Sequence, residues 1–213
     1  MARVLLFTRG ARSGREHAID ALAAESLGRS LLIVPTRQEA NDRAARIVQS
    51  FDLPGAWDAC VVSFEDFALG LLRDAGVYPH ELDDIERRVA IESTLDRLNA
   101  EGALSALGEA ARSPGFANHV LRAITKLKQA AIEPSAFREA AARRERGSWL
   151  DSIVADVYEA YQETLHSADA YDRAGVYWRA HVALGEGRPR YFARARSVLF
   201  DGFDDFTPSE FRV

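Results

Sequence analysis

Cysteine occurs once in the 213 residues, at Cys60. A single thiol excludes an internal disulfide framework and a four-cysteine metal cluster, and it suits a reducing, cytoplasmic compartment. The five histidines are scattered, so no metal site is expected. No apolar run approaches the roughly 20 residues needed to span a bilayer, so no membrane partner is expected. The apolar core of Met1-Ala2-Arg3-Val4-Leu5-Leu6-Phe7 is too short for a signal peptide. Lysine is nearly missing: Lys126 and Lys128 stand against 25 arginines, a bias that a GC-rich coding sequence explains. The net charge of -5 excludes a global basic field for nucleic acid and leaves only local patches.

What is present is an ordinary globular composition, 47% hydrophobic and 28% charged, in a chain long enough for one large domain or two small ones. Four short apolar runs read as buried strands: residues 4–7, 31–34, 60–64 and 197–200. The first three each lead into a polar turn and then a helical pattern. Runs without alternation suit a parallel sheet covered on both faces, and strand–helix repetition argues βαβ units. From Asp83 to Leu184 strands give way to helical periodicity. It is carried by Ile85, Val89 and Leu95 to Leu98, by Phe116, Val120, Ile124 and Leu127, and by Leu150, Ile153, Val157, Tyr161 and Leu165. Ser113-Pro114-Gly115 and Glu133-Pro134-Ser135 punctuate these helices. The expected fold is α/β: a P-loop NTPase-like parallel sheet flanked by helices, carrying an inserted all-helical subdomain. Residues 1–82 and 186–213 form the core and residues 83–185 the insertion.

The last strand delivers an acid. Ser197-Val198-Leu199-Phe200-Asp201-Gly202-Phe203-Asp204-Asp205 is an apolar run ending in a carboxylate and a turn, the way a parallel strand presents an acid to a nucleotide. It resembles the Walker B motif of UvrD/Rep-type helicases. Asp201 falls on the metal-holding acid, Phe203 on the aromatic and Asp205 on the closing acid, while Gly202 stands where the family keeps its catalytic Glu. After the first strand, Thr8-Arg9-Gly10-Ala11-Arg12-Ser13-Gly14-Arg15-Glu16 resembles the helicase phosphate loop. Ala11, Ser13 and Gly14 are kept, but Arg15 replaces the lysine and Glu16 the hydroxyl that binds Mg²⁺. Metal-assisted phosphoryl transfer thus lacks its positioning groups and its base. Ala11, Ser13, Gly14, Arg15, Asp201 and Asp205 are read as a nucleotide-binding remnant, with ATP and Mg²⁺ expected lost and no catalytic residue. Ser13-Gly14-Arg15-Glu16 also reads as a capping box, with Glu16 turned back toward Ser13.

Two further turns are candidate DNA contacts. Ile33-Val34-Pro35-Thr36-Arg37 resembles a second helicase motif that grips single-stranded backbone, and Thr36 and Arg37 are suitable phosphate partners. A plain strand-to-helix turn capped by Thr36 fits equally well. Val62-Ser63-Phe64-Glu65-Asp66-Phe67 resembles the next motif through Ser63 and Phe64. Glu65 and Asp66 replace its His and Ser, which favours core packing of the aromatics. Trp149, Trp178, Tyr158, Tyr161, Tyr171 and Tyr177 are possible stacking platforms, although their helical spacing favours the core.

Together with Leu127-Lys128-Gln129-Ala130-Ala131-Ile132-Glu133-Pro134, Tyr158-Glu159-Ala160-Tyr161 and Asp201-Gly202-Phe203-Asp204-Asp205-Phe206-Thr207-Pro208, these segments resemble the AddB/RexB type of ATP-dependent helicase–nuclease subunit. The resemblance runs along the whole chain and matches the amino-terminal part of such a subunit, so a fragment of a longer polypeptide is expected. It implies a non-motor helicase-like scaffold in DNA double-strand-break repair. Its implied partners are an active helicase–nuclease subunit and DNA, as single strands or duplex ends. Any iron–sulfur cluster would lie in the missing carboxy-terminal part. A working ATPase domain and a pure protein–protein module are the alternatives. ATP turnover separates the first from the scaffold, and salt-dependent DNA binding separates the second.

Overall fold

The computed structural model describes residues 3–4, 15–25, 29–53, 55, 61–144, 148–187, 195 and 197–213. The protein is mostly helical, with a small parallel sheet. It divides into two compact units, Met1–Tyr78 with Ala180–Phe206 and Pro79–Arg179 with Thr207–Val213.

In the first unit, strands β1 (Arg3–Val4), β2 (Ser30–Val34), β3 (Val61–Ser63) and β6 (Ser197–Phe200) form one sheet in the order β1-β6-β2-β3. Every pairing is parallel, and Ile33 faces Phe200 in register while Val34 faces Ser63. All five residues of β2 are buried, as expected for a strand with no hydrophobic alternation and both faces covered. Helices α1 (Arg15–Glu25), α2 (Arg37–Ser50) and α3 (Phe64–Asp74) follow the first three strands. Ile19, Leu32, Val34, Ile47 and Leu199 make one core, each fully buried side chain contributing roughly 1.5–3 kcal/mol. Among the described residues the first and third strands are shorter than their apolar runs. Phe64 belongs to α3 rather than to the third strand, because Ser63 caps that helix. Residues 5–7 of the expected first strand and Cys60 of the third lie outside the described residues.

The second unit holds α4 (Asp84–Ala100), a 3₁₀ segment (Ser105–Arg112), α5 (Pro114–Gln129), α6 (Pro134–Ala142), α7 (Ser148–Ser167) and α9 (Pro208–Phe211). Helix α8 (Arg173–Gly185) belongs to it only as far as Arg179. Its core gathers Ile91, Leu95, Leu98, Val120, Ile124, Val157 and Tyr161. Ile85 and Val89, which share in the helical periodicity, are exposed: the buried stripe of α4 is Ile91, Thr94, Leu95 and Leu98 on its other side. Strands do not stop at Asp83 as expected, since β4 (His80–Glu81) and β5 (Ala170–Tyr171) pair in parallel within this unit. Two-residue strands are too short to leave a periodic signal.

Lys128, buried on α5, gives Nζ to Asp172 at 2.7 Å and to Gln162 at 2.8 Å. Asp172 in turn accepts from the Gly175 amide at the start of α8, so one acid holds both a cation and a helix terminus. Tyr158, Tyr161 and Tyr177 are buried, while Trp149 and Trp178 are exposed rather than in the core, with Arg212 over the Trp178 ring at 5.6 Å. Tyr158 donates to the Ile132 carbonyl at 3.1 Å, while the Tyr161 hydroxyl has no hydrogen-bond partner among the described residues. Burial raises both phenol pKa values well above the usual range, and the Asp172 charge adds to the shift in each.

Candidate functional site at the carboxyl edge of the sheet

Parallel strands bring their carboxyl ends to one edge, which is where open α/β sheets place ligands. Here that edge carries Thr36 and Arg37 after β2, Ser63 at the end of β3 with Phe64 next to it, and Asp201 and Gly202 after β6. The Asp201 amide continues the ladder by donating to the Ile33 carbonyl at 3.1 Å.

The two hydroxyls are helix caps. Thr36 accepts from the Glu39 amide at 3.2 Å and starts α2; Ser63 accepts from the Asp66 amide at 3.0 Å and starts α3. Each also donates to the carboxylate of the residue it caps, at 3.1 Å and 2.7 Å. A cap of this kind contributes about 1 kcal/mol to its helix.

Arg37 projects from the first turn of α2 with 60% of its side chain exposed. Its Nε donates to both oxygens of Asp66, at 3.0 and 3.1 Å, and its Nη2 reaches Glu65 at 3.2 Å. The two acids that stand in place of His and Ser in the resembled motif therefore clasp the arginine of the neighbouring motif. A planar guanidinium binds carboxylate and phosphate with the same fork geometry, so the clasp occupies a phosphate-type donor set.

Phe64 is only 4% exposed and lies at the centre of an aromatic cluster. Phe203 and Phe206 approach it at 5.9 and 5.8 Å and stack on each other at 4.5 Å, and Phe67 lies at 6.1 Å. Phe200, at 6.5 Å from Phe64 and 38% exposed, carries the cluster to the surface.

Asp201 is buried and points at Arg43, whose Nη1 lies 3.0 Å from its Oδ2. Arg43 is itself buried on α2; its Nε pairs with Asp20 of α1, and its Nη2 donates to the Glu16 carbonyl at 3.3 Å. Asp205 is not brought to Asp201. It is exposed and accepts from the neighbouring Phe206 amide at 2.8 Å. Gly202 has φ +84°, and a Cβ there would sit 3.2 Å from Pro35 Cδ, inside normal contact and in a backbone region that side chains disfavour.

Ala11, Ser13 and Gly14 lie outside the described residues, as does the side chain of Arg15 at the start of α1. The Glu16 carboxylate, expected to turn toward Ser13, accepts from Arg46 of α2 at 3.0 Å. Among the described residues no group of three or more His, Cys, Asp and Glu is arranged to hold a metal ion, and no helix is long and apolar enough to cross a membrane. Sequence reasoning missed Asp20 and Arg43. The available signal was Ala40, Arg43 and Ile47 at helical spacing, a core stripe with an arginine in it. A charge on such a stripe requires a buried partner.

Comparison with known proteins agrees along the chain. The family model described as ADDB, N-terminal, matches residues 15–213. An ATP-dependent helicase/deoxyribonuclease subunit from Carboxydothermus hydrogenoformans is 25% identical over 93% of this chain and 18% of its own length. Proteins of the same name from Exiguobacterium sibiricum and Desulforamulus reducens are 27% and 24% identical, over 93% and 95% of this chain. The chain spans less than a fifth of the length of these relatives, 17% and 18% in the latter two. The residues at the sheet edge and the matched span together lead to one conclusion: the chain belongs to the AddB amino-terminal family.

Proposed function

We propose that this chain is a non-motor, helicase-like scaffold domain of a helicase–nuclease that processes DNA double-strand breaks for recombinational repair in the cytoplasm. Its small sheet is the core of a P-loop-like α/β domain formed by residues 1–82 and 186–213, and residues 83–185 are a helical insertion. Its partners are an active helicase–nuclease subunit and DNA. It carries no catalytic residue and needs no cofactor of its own, and any iron–sulfur cluster belongs to other parts of the subunit.

The observation that carries the reading is Gly202. The residue after the strand-end acid is where a catalytic Glu would stand, and here it has φ +84° and lies against Pro35. A glutamate at that position is strained whatever its rotamer, so a base for phosphoryl transfer is disfavoured by the backbone itself. Asp201 fits a metal no better, because its carboxylate already faces the Arg43 guanidinium. DNA contact is assigned to the Thr36–Arg37 turn, with Arg37 for phosphate, and to the exposed Phe200 face of the aromatic cluster for bases; Ser63 and Phe64 are buried and serve this surface only by starting α3 and anchoring the cluster. The purified chain is expected to show no ATP turnover, with or without single-stranded DNA, and to bind single-stranded DNA weakly with steep salt dependence. Turnover that disappears in Asp201→Ala overturns the scaffold reading.

The clasp of Arg37 by Glu65 and Asp66 favours a second reading, a protein–protein module that leaves DNA to the rest of the complex. Binding isotherms that show no DNA affinity at low salt would favour it.

A further inference from the structure

We infer that Arg43 is a resident cation, a side chain that permanently fills the position from which Asp201 would otherwise hold a metal ion. The inference rests on the scaffold reading above and names the residue that closes the site. Three elements contribute to it. Asp20 comes from α1, Arg43 from α2, and Asp201 from the end of β6, a central strand of the sheet. All three side chains are nine-tenths buried or more.

Each nitrogen of the guanidinium is engaged by an oxygen from a different residue. Nε meets Asp20, Nη1 meets Asp201 at 3.0 Å and Nη2 meets the Glu16 carbonyl at 3.3 Å. Two carboxylates and a carbonyl are the hard oxygen donors that Mg²⁺, Mn²⁺ or Ca²⁺ take up, with water completing the shell. The protein supplies a planar monocation to the same oxygens. A guanidinium keeps its charge at all working pH values and offers its donors in a fixed fork, so it is held more firmly than a lysine would be. Burying two acids is unfavourable unless a cation accompanies them, and Arg43 is a cation that faces both. A metal–nucleotide complex would have to expel a buried, hydrogen-bonded arginine, which explains why loss of metal chemistry here does not leave an unstable acidic pocket.

Removing the resident cation exposes the cation preference of its surroundings. In Arg43→Gln, the Asp20 and Asp201 carboxylates face each other's charge and the Glu16 carbonyl without the guanidinium. The test is thermal unfolding of the chain with and without millimolar Mn²⁺, for the wild type, Arg43→Gln and Arg43→Gln/Asp201→Asn. The wild type is expected to be unmoved by Mn²⁺ or by Mg²⁺-ATP. Arg43→Gln should unfold several degrees lower and recover in Mn²⁺, and the double variant should lose that response. An Arg43→Gln protein whose unfolding ignores Mn²⁺ overturns the inference, as does one that stays unfolded in Mn²⁺. A second measurement needs no destabilised variant: paramagnetic broadening of wild-type amide signals by Mn²⁺. Broadening around Asp20 and Asp201 that disappears in Asp201→Asn would mean that Arg43 does not close the site. ATP turnover by the wild type would instead remove the scaffold reading itself. Absence of turnover together with an Mn²⁺-blind Arg43→Gln would remove only the resident cation.

Discussion

Arg37 and Arg43 lie on the same helix and each faces two acids, yet their circumstances are opposite. Arg37 is 60% exposed in the first turn and is clasped by Glu65 and Asp66 of one neighbouring helix. Arg43 is 9% exposed and ties together α1, α2 and the end of β6. Exposed ion pairs are screened and contribute about 0.2–1 kcal/mol, whereas removing one partner of a buried pair costs about 3–5 kcal/mol. One arginine is therefore part of the fold, and the other is a charged fork that an incoming anion can compete for. The same residue type, at the same sheet edge, is locked into the fold in one case and left largely solvated in the other.

The largest effect follows from breaking the buried cluster. Arg43→Met should cost about 3–5 kcal/mol in urea unfolding, because two buried carboxylates lose the guanidinium that faces both. Converting Asp20 and Asp201 to asparagine in the same protein should recover much of that loss. A neutral cluster that is no more stable than Arg43→Met alone would show that the arginine acts by packing rather than by charge.

Gly202 comes next. Gly202→Ala should cost about 1–2 kcal/mol, since an L-residue is forced to positive φ. The contact with Pro35 Cδ at 3.2 Å adds to it, because a proline ring cannot swing aside. Gly202→Glu should be destabilised further and still show no ATP turnover. A stable Gly202→Glu variant that hydrolyses ATP would refute the backbone argument.

These two residues also mark how far the sequence could be read. The strands at 31–34 and 197–200 were legible because uninterrupted apolar runs leave few alternatives to a buried parallel strand. Thr36 was legible as a helix start, since a hydroxyl before an acidic first turn is a local signal, whereas Ser63 reads from the sequence as part of the third strand and only the structure shows it as a cap. The Asp20–Arg43–Asp201 cluster was not legible. Its partners are far apart in the chain, and only the fold brings them together. The buried face of α4 was not legible for a related reason: Ile85 and Val89 have helical spacing, but spacing alone does not say which of two apolar stripes is buried. Glu65 and Asp66 stand out in the sequence as replacements of a His and a Ser, which is silent about the arginine they hold.

The exposed clasp yields a smaller effect of opposite sign. Glu65→Gln with Asp66→Asn should leave stability nearly unchanged and raise affinity for single-stranded DNA. Releasing an exposed pair of about 0.2–1 kcal/mol corresponds to a gain of up to roughly fivefold. Fluorescence anisotropy at low salt measures it directly. Unchanged affinity in the double variant would mean that phosphate does not compete for Arg37.

The smallest change in stability belongs to Arg37 itself, and it completes the contrast with Arg43. Arg37→Ala should shift the unfolding free energy by less than about 1 kcal/mol, because its own guanidinium is largely solvated. The helix keeps its start, since the Thr36 cap on the Glu39 amide does not involve Arg37. If Arg37 holds a phosphate, the same variant should weaken DNA binding at every sequence tested and lower the slope of log affinity against log salt by about one. The two readouts separate the roles: stability reports the clasp, and the salt slope reports the phosphate. A variant that loses several kcal/mol of stability would place Arg37 with Arg43 as a structural residue. One that keeps both its stability and its salt slope would leave Arg37 as a solvated helix-start charge with no part in DNA contact.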